Sequence, residues 1–98
     1  MKSTLRYEWD EAKAASNVSK HGVSFDEART VFLDVFALRV FDGPHSSDED
    51  RFIIIGMSDH ARVLTVVYVE RTEETMRLIS ARRATSRERR IYEEKTNV

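Results

Sequence analysis

Arg51-Phe52-Ile53-Ile54-Ile55-Gly56-Met57-Ser58 and Arg62-Val63-Leu64-Thr65-Val66-Val67-Tyr68-Val69-Glu70 decide the fold. Both runs are dense in β-branched and aromatic residues and are short enough for strands. Asp59-His60-Ala61 joins them closely, so the pair reads as an antiparallel hairpin. Apolar residues occupy both faces of each run, as expected where a sheet is covered on both sides.

Downstream, Thr72 to Glu74 makes a second polar turn and Met76 to Arg83 a further strand. Thr85 followed by Glu88 is a capping box, which predicts a helix from Ser86 to about Lys95. Upstream, Ala37 to Phe41 reads as a short strand, and Asp42-Gly43-Pro44-His45-Ser46-Ser47 has loop chemistry. Ser24 with Glu27 is another capping box, opening a short helix whose Phe25, Ala28, Val31 and Phe32 face one way. Asp10 offers an N-cap to a helix over Glu11 to His21 that Gly22 closes. Its apolar stripe is Ala12, Ala15 and Val18 with Ala14 alongside, and Lys13, Asn17 and Lys20 share the opposite face. Leu5, Tyr7 and Trp9 alternate with Arg6 and Glu8 as in a half-buried strand. The order is β-α-α-β-β-β-β-α: an α+β fold, one small domain over residues 1–98, helices packed on an antiparallel-rich sheet.

At 98 residues the chain supports one core. It has no cysteine, so a disulfide framework, a thiolate zinc site and a cysteine nucleophile are excluded. Met1-Lys2-Ser3-Thr4 has no apolar leader character, and no apolar run nears the ~20 residues of a membrane span. A cytoplasmic location without membrane partners is expected. The net charge of −1 hides an asymmetry. Arg77, Arg82, Arg83, Arg87, Arg89 and Arg90 stand against Glu88 alone between residues 76 and 92, whereas Asp42, Asp48, Glu49 and Asp50 make an acidic stretch. Arginine supplies 12 of the 16 cations, a bias suited to bidentate recognition of phosphate or carboxylate. His21, His45 and His60 lack ligand spacing, no glycine-rich phosphate loop or GxSxG elbow exists, and neither a metal site nor a cofactor is expected.

Several stretches resemble one family. Tyr7-Glu8-Trp9-Asp10, Lys13, Asn17, Lys20-His21-Gly22-Val23 and Phe25 are similar to the opening of the BrnT toxins. Arg77-Leu78-Ile79-Ser80-Ala81-Arg82-Arg83-Ala84, with Glu88 and Tyr92, resembles their closing motif, and Arg51, Gly56 and Tyr68 fit between. Phe41 to His45 lies outside the resemblance. It implies a RelE-like fold, ribonuclease activity and the toxin role in a type II toxin–antitoxin pair. The implied partner is a BrnA-type antitoxin, through which alone operator DNA would be met. A non-catalytic nucleic-acid or protein-binding module of the same fold is the alternative.

Metal-independent RNA cleavage needs a base for the 2′-hydroxyl, an acid for the leaving 5′-oxygen and cations on the phosphorane. Arg82 and Arg77 are the candidates for the cations, supported on a strand. Five residues apart, they point to opposite faces unless a bulge near Ala81 intervenes, and each could instead pair with a buried acid such as Glu27 or Glu88. His21 is the candidate for proton transfer, or else it caps the helix carbonyls. Glu88 and Tyr92 share a helix face, Glu88 as a base or as part of its capping box, Tyr92 as a stacking or proton-donating group. Lys20, Lys13, Arg51, Arg83 and Arg87 are the candidates for contact with RNA. Tyr7 and Trp9 could stack on bases or fill the core.

Overall fold

The hairpin forms as its sequence predicts. In the computed structural model, which describes residues 5–96, β3 (Arg51–Met57) pairs antiparallel with β4 (Val63–Glu70). Met1 to Thr4, read above for a leader, and residues 97–98 lie outside the described residues. β4 pairs antiparallel with β5 (Thr75–Arg83), and β2 (Leu38–Phe41) adds to the far side of β3. β1 (Arg6–Glu8) joins β5 in parallel, giving the order β1-β5-β4-β3-β2. The helices are α1 (Glu11–His21), α2 (Phe25–Ala28) and α3 (Ser86–Thr96). α2 runs on as a 3-10 turn, Arg29–Leu33, where the sequence suggested one short helix.

The core lies on one face of the sheet. Tyr68, Val66 and Leu64 of β4, Ile54 of β3 and Met76, Leu78 and Ala81 of β5 pack against Val23, Phe25, Ala28 and Val31. Tyr7 meets Phe32 and Trp9 meets Phe25 edge-on, so these aromatics belong to the core rather than to a stacking platform. The approach of the 29–33 turn depends on Gly56. A Cβ there would lie 2.9 Å from Ala37 Cβ and 3.0 Å from Val31 Cγ1, so backbone and turn meet where only glycine fits.

Two expectations are corrected. The stripe Ala12, Ala15 and Val18 does not face the core: Val18 is 48% exposed, whereas Asn17 is buried. β1 covers β5 only as far as Arg77, which leaves the backbone beyond without a strand partner. Asn17 fills that place, its Nδ2 donating to Ala81 O at 2.8 Å and to Val23 O at 2.9 Å while its Oδ1 accepts from Ala81 N–H at 3.1 Å. Satisfying three buried backbone groups outweighs burying one valine. The sheet is also not covered evenly on both faces. The second face carries α3, anchored at one end, and Val40 and Ile53 remain open or half-open there.

Candidate functional site

A β-bulge decides which side chains share the open face. Val67 pairs with Ser80 but the next residue, Tyr68, pairs with Leu78, so Ile79 is extra on β5. The slip restores one parity to residues of opposite parity. Arg77, opposite Val69, and Arg82, opposite Thr65, therefore project from the same face with Ser80, opposite Val67, between them. The same pairing puts Arg51, opposite Val69, on this face. A regular strand would have separated the two arginines.

Arg82 makes a bidentate pair with Glu88, Nη1 to Oε1 at 2.8 Å and Nη2 to Oε2 at 3.0 Å. Nη1 also donates to Arg83 O at 3.3 Å, leaving Nε–H and one Nη2–H without a protein acceptor. The side chain stays 41% exposed. Glu88 is fully engaged: Thr65 Oγ1 donates to it at 2.8 Å and Thr85 N–H at 2.9 Å, while its own N–H returns to Thr85 Oγ1 at 3.1 Å. Arg82 above all, against the effect of burial and with help from Thr85 and Thr65, holds the Glu88 carboxyl at about 2. The capping box is thus also the clamp on Arg82, and a carboxylate so acidic is a weak base at neutral pH.

Arg77 Nη1 donates to Glu8 Oε2 at 3.2 Å, an oxygen that also receives Arg71. Arg51 has no carboxylate partner among the described residues. On the neighbouring edge, Lys13, Ser16, Asn17, Lys20 and His21 of α1 and Ile79 and Ser80 of β5 line a groove of about 220 Å³. The bulge thus belongs to both surfaces: Ser80 joins the lysine and histidine edge to the face of Arg77 and Arg82. His21 is exposed in the last turn of α1, and the αL residue Gly22 closes that helix with its N–H on Val18 O. Arg83, opposite Leu64, points away from this face and Arg87 is exposed on α3, with no protein partner for either guanidinium among the described residues.

Tyr92 is buried and does not share solvent with Glu88. Its hydroxyl donates to Asp34 Oδ2 at 2.5 Å, and burial with the Asp34 carboxylate pushes the phenol up to about 12. Asp34 also accepts from Met57 N–H at 2.8 Å and from Phe36 N–H at 2.9 Å. Burial raises the Asp34 carboxyl, but these three bonds outweigh it and leave it below its ordinary range. No tripartite cluster of His, Asp or Glu side chains able to hold a metal ion occurs among the described residues, nor any helix long and apolar enough to cross a membrane.

The sequence reading missed Ser80, Asn17 and Asp34. Asn17 looks solvated because its partner lies 64 positions away. Asp34 did carry a signal, a lone acid within Val31-Phe32-Leu33-Asp34-Val35-Phe36.

The fold agrees with the comparisons. The family model of the BrnT ribonuclease toxins of type II toxin–antitoxin systems matches residues 9–88, which span all these groups except Glu8 and Tyr92. The crystal structure of the Brucella abortus ribonuclease toxin BrnT is similar at a TM-score of 0.64 and 23% identity, over 84% of this chain and 99% of that one. No curated protein matched in a sequence search. A family model that takes in α1, the bulged β5 and the capping box of α3 establishes membership: the chain belongs to the BrnT family of ribonuclease toxins of type II toxin–antitoxin systems.

Proposed function

We propose that the chain cleaves RNA without a metal on the open face of the sheet. The scissile phosphate binds over Ser80, between Arg77 and Arg82. The RNA 2′-hydroxyl attacks the adjacent phosphorus, its proton goes to a base, and the 5′-oxygen leaves with a proton from an acid. The observation that supports this reading most is the bulge at Ile79, which gives two arginines and a hydroxyl one common face. Arg82 supplies its two unengaged N–H donors to the phosphorane, where preorganised charge acts most strongly. Glu88 serves as the positioning residue for Arg82, and Tyr92 fixes α3 through Asp34. That leaves His21 as the proton-transfer residue, with Lys20 beside it on the groove that ends at Ser80. Lys13, Arg51 and Arg87 follow the RNA backbone, whereas Arg83, opposite Leu64, stands on another surface. A BrnA-type antitoxin neutralises the chain in the cytoplasm, and operator DNA is reached only through that complex.

Purified protein given RNA in excess EDTA should cleave at an unchanged rate. Cleavage lost on chelation and restored by Mg²⁺ or Mn²⁺ would refute the metal-free mechanism. Affinity for single-stranded RNA should fall with salt at a log–log slope of about −0.7 per phosphate neutralised. A protein that binds RNA so, yet neither cleaves it nor arrests growth when expressed alone, is a binding module.

A further inference from the structure

Beside the end of β3 and α3, far from Arg77 and Arg51, one loop displays apolar side chains that the fold has no use for. Leu33 is 71% exposed, Val35 88% and Phe36 53%. The loop is not a loose excursion. Asp34 in its middle binds Phe36 N–H, Met57 N–H and the Tyr92 hydroxyl, tying it to β3 and α3. A half-buried carboxylate with three donors is a large structural commitment to hold three side chains in water. Met57, 38% exposed, continues the patch. It lines a cleft with Leu33, Thr30 and Asp59 on one side and a groove with Arg62, Arg83, Arg89 and Glu93 on the other. Arg62 is paired with Glu27, but Arg83 and Arg89 have no protein partner among the described residues. A rigid apolar patch beside two unpaired arginines asks for a ligand that is apolar and acidic together.

We propose that Leu33, Val35, Phe36 and Met57, with Arg83 and Arg89, are the docking surface for the antitoxin. The antitoxin fits it with an amphipathic segment whose apolar side chains cover the loop and whose carboxylates meet the two arginines. This rests on the type II family membership and not on the open-face mechanism. RNA suits the surface poorly, since Leu33, Val35 and Met57 offer a nucleotide neither a stacking plane nor a charge, whereas aliphatic and aromatic anchors suit a protein interface.

The test is calorimetry with the antitoxin cloned from the same operon. Val35→Asp with Phe36→Asp should weaken binding about 30- to 100-fold, the size of an interface hot spot, and leave melting and RNA cleavage unchanged. Arg89→Glu should weaken it about tenfold, and wild-type affinity should fall with salt. Should the double variant fail to fold, Leu33→Ser carries the same test. Antitoxin affinity within twofold of wild type in the folded variant overturns the proposal. So does a wild-type dimer that the double variant abolishes while antitoxin still binds, or a loss of RNA affinity in its place. Absent cleavage by wild type would count against the ribonuclease reading alone, because antitoxin binding is measured separately.

Discussion

Among the described residues two bidentate arginine–glutamate pairs are built alike and placed differently. Arg62 grips Glu27 through Nε, at 2.9 Å, and Nη2. Glu27 is 4% exposed and also accepts from Ser58 Oγ at 2.6 Å, and Arg62 reaches on to Gly22 O at 3.2 Å. This pair ties α2 to the turn of the β3–β4 hairpin, on the core side of the sheet. Arg82 grips Glu88 across the open face, with side chains 41% and 24% exposed. Ion pairing alone therefore does not say what an arginine is for. The face it stands on and its access to solvent do.

The deepest cut into that contrast is Glu27→Ala. It leaves Arg62 and Ser58 without their acceptor in a buried site, so it should cost about 3–5 kcal/mol in urea or thermal unfolding. The folded fraction should cleave RNA at the wild-type rate, because this pair touches nothing on the open face. Unfolding within about 1 kcal/mol of wild type would show that the buried pair is no more structural than the exposed one.

Arg82→Ala should do the reverse. Losing one preorganised donor should slow cleavage about 10²–10³-fold, equivalent to about 3–4 kcal/mol in the barrier. Stability should change little, as expected of a pair so open to solvent. The paired measurement is melting beside cleavage rate. A variant that melts far lower moves Arg82 to the same role as Arg62, and a fully active one removes it from the site.

How the sequence carried this contrast depends on distance along the chain. The element order, the hairpin, the α1 caps and the Thr85–Glu88 box are local patterns, and they were legible. The Ser24–Glu27 box was legible only by half: Ser24 Oγ does accept from Glu27 N–H at 3.0 Å, but the Glu27 carboxylate turns to Arg62 instead of closing the box. That choice is made 35 residues away, as is Asn17's at 64, and no window of sequence contains both partners. The bulge falls between these cases. Arg77 and Arg82 at opposite parity signalled that one of them was idle or the strand was bulged, and only the register of β4 against β5 resolves which.

Acid sharpens the comparison at smaller scale. Glu88 is lowered from an ordinary 4.5 to about 2, so its folded state holds the proton less readily than its unfolded state. Its contribution to stability is complete above about 4.5 and is lost as pH falls towards about 2. Glu27 is lowered too, by Arg62 first, and works in the same direction. Glu88→Gln should flatten the acid limb of stability against pH by on the order of 1 kcal/mol, given the solvent screening of Arg82. An acid limb unchanged in this variant would assign the whole of it to Glu27 and other carboxylates.

The smallest effect tests whether the Glu27 cluster holds strain in the hairpin. Ala61, the turn residue before Arg62, has φ of 58°, the left-handed region where its Cβ is crowded. Ser58 and Arg62 on either side of it are both fastened to Glu27, and Ser58 accepts from His60 N–H at 3.1 Å, so the turn has little freedom to relax. Strain of this kind persists only where the surroundings over-determine the backbone. Glycine relieves the crowding, worth about 1–2 kcal/mol, but costs about 0.5–1 kcal/mol in unfolded-chain entropy. Ala61→Gly should therefore stabilise the protein by about 0.5 kcal/mol. In the Glu27→Ala background the turn is released and alanine can leave the left-handed region, so the gain should vanish or change sign. A double-mutant cycle measures this coupling. The same gain in both backgrounds would mean that the turn keeps its conformation without Glu27, and that the buried pair fastens α2 without straining the hairpin.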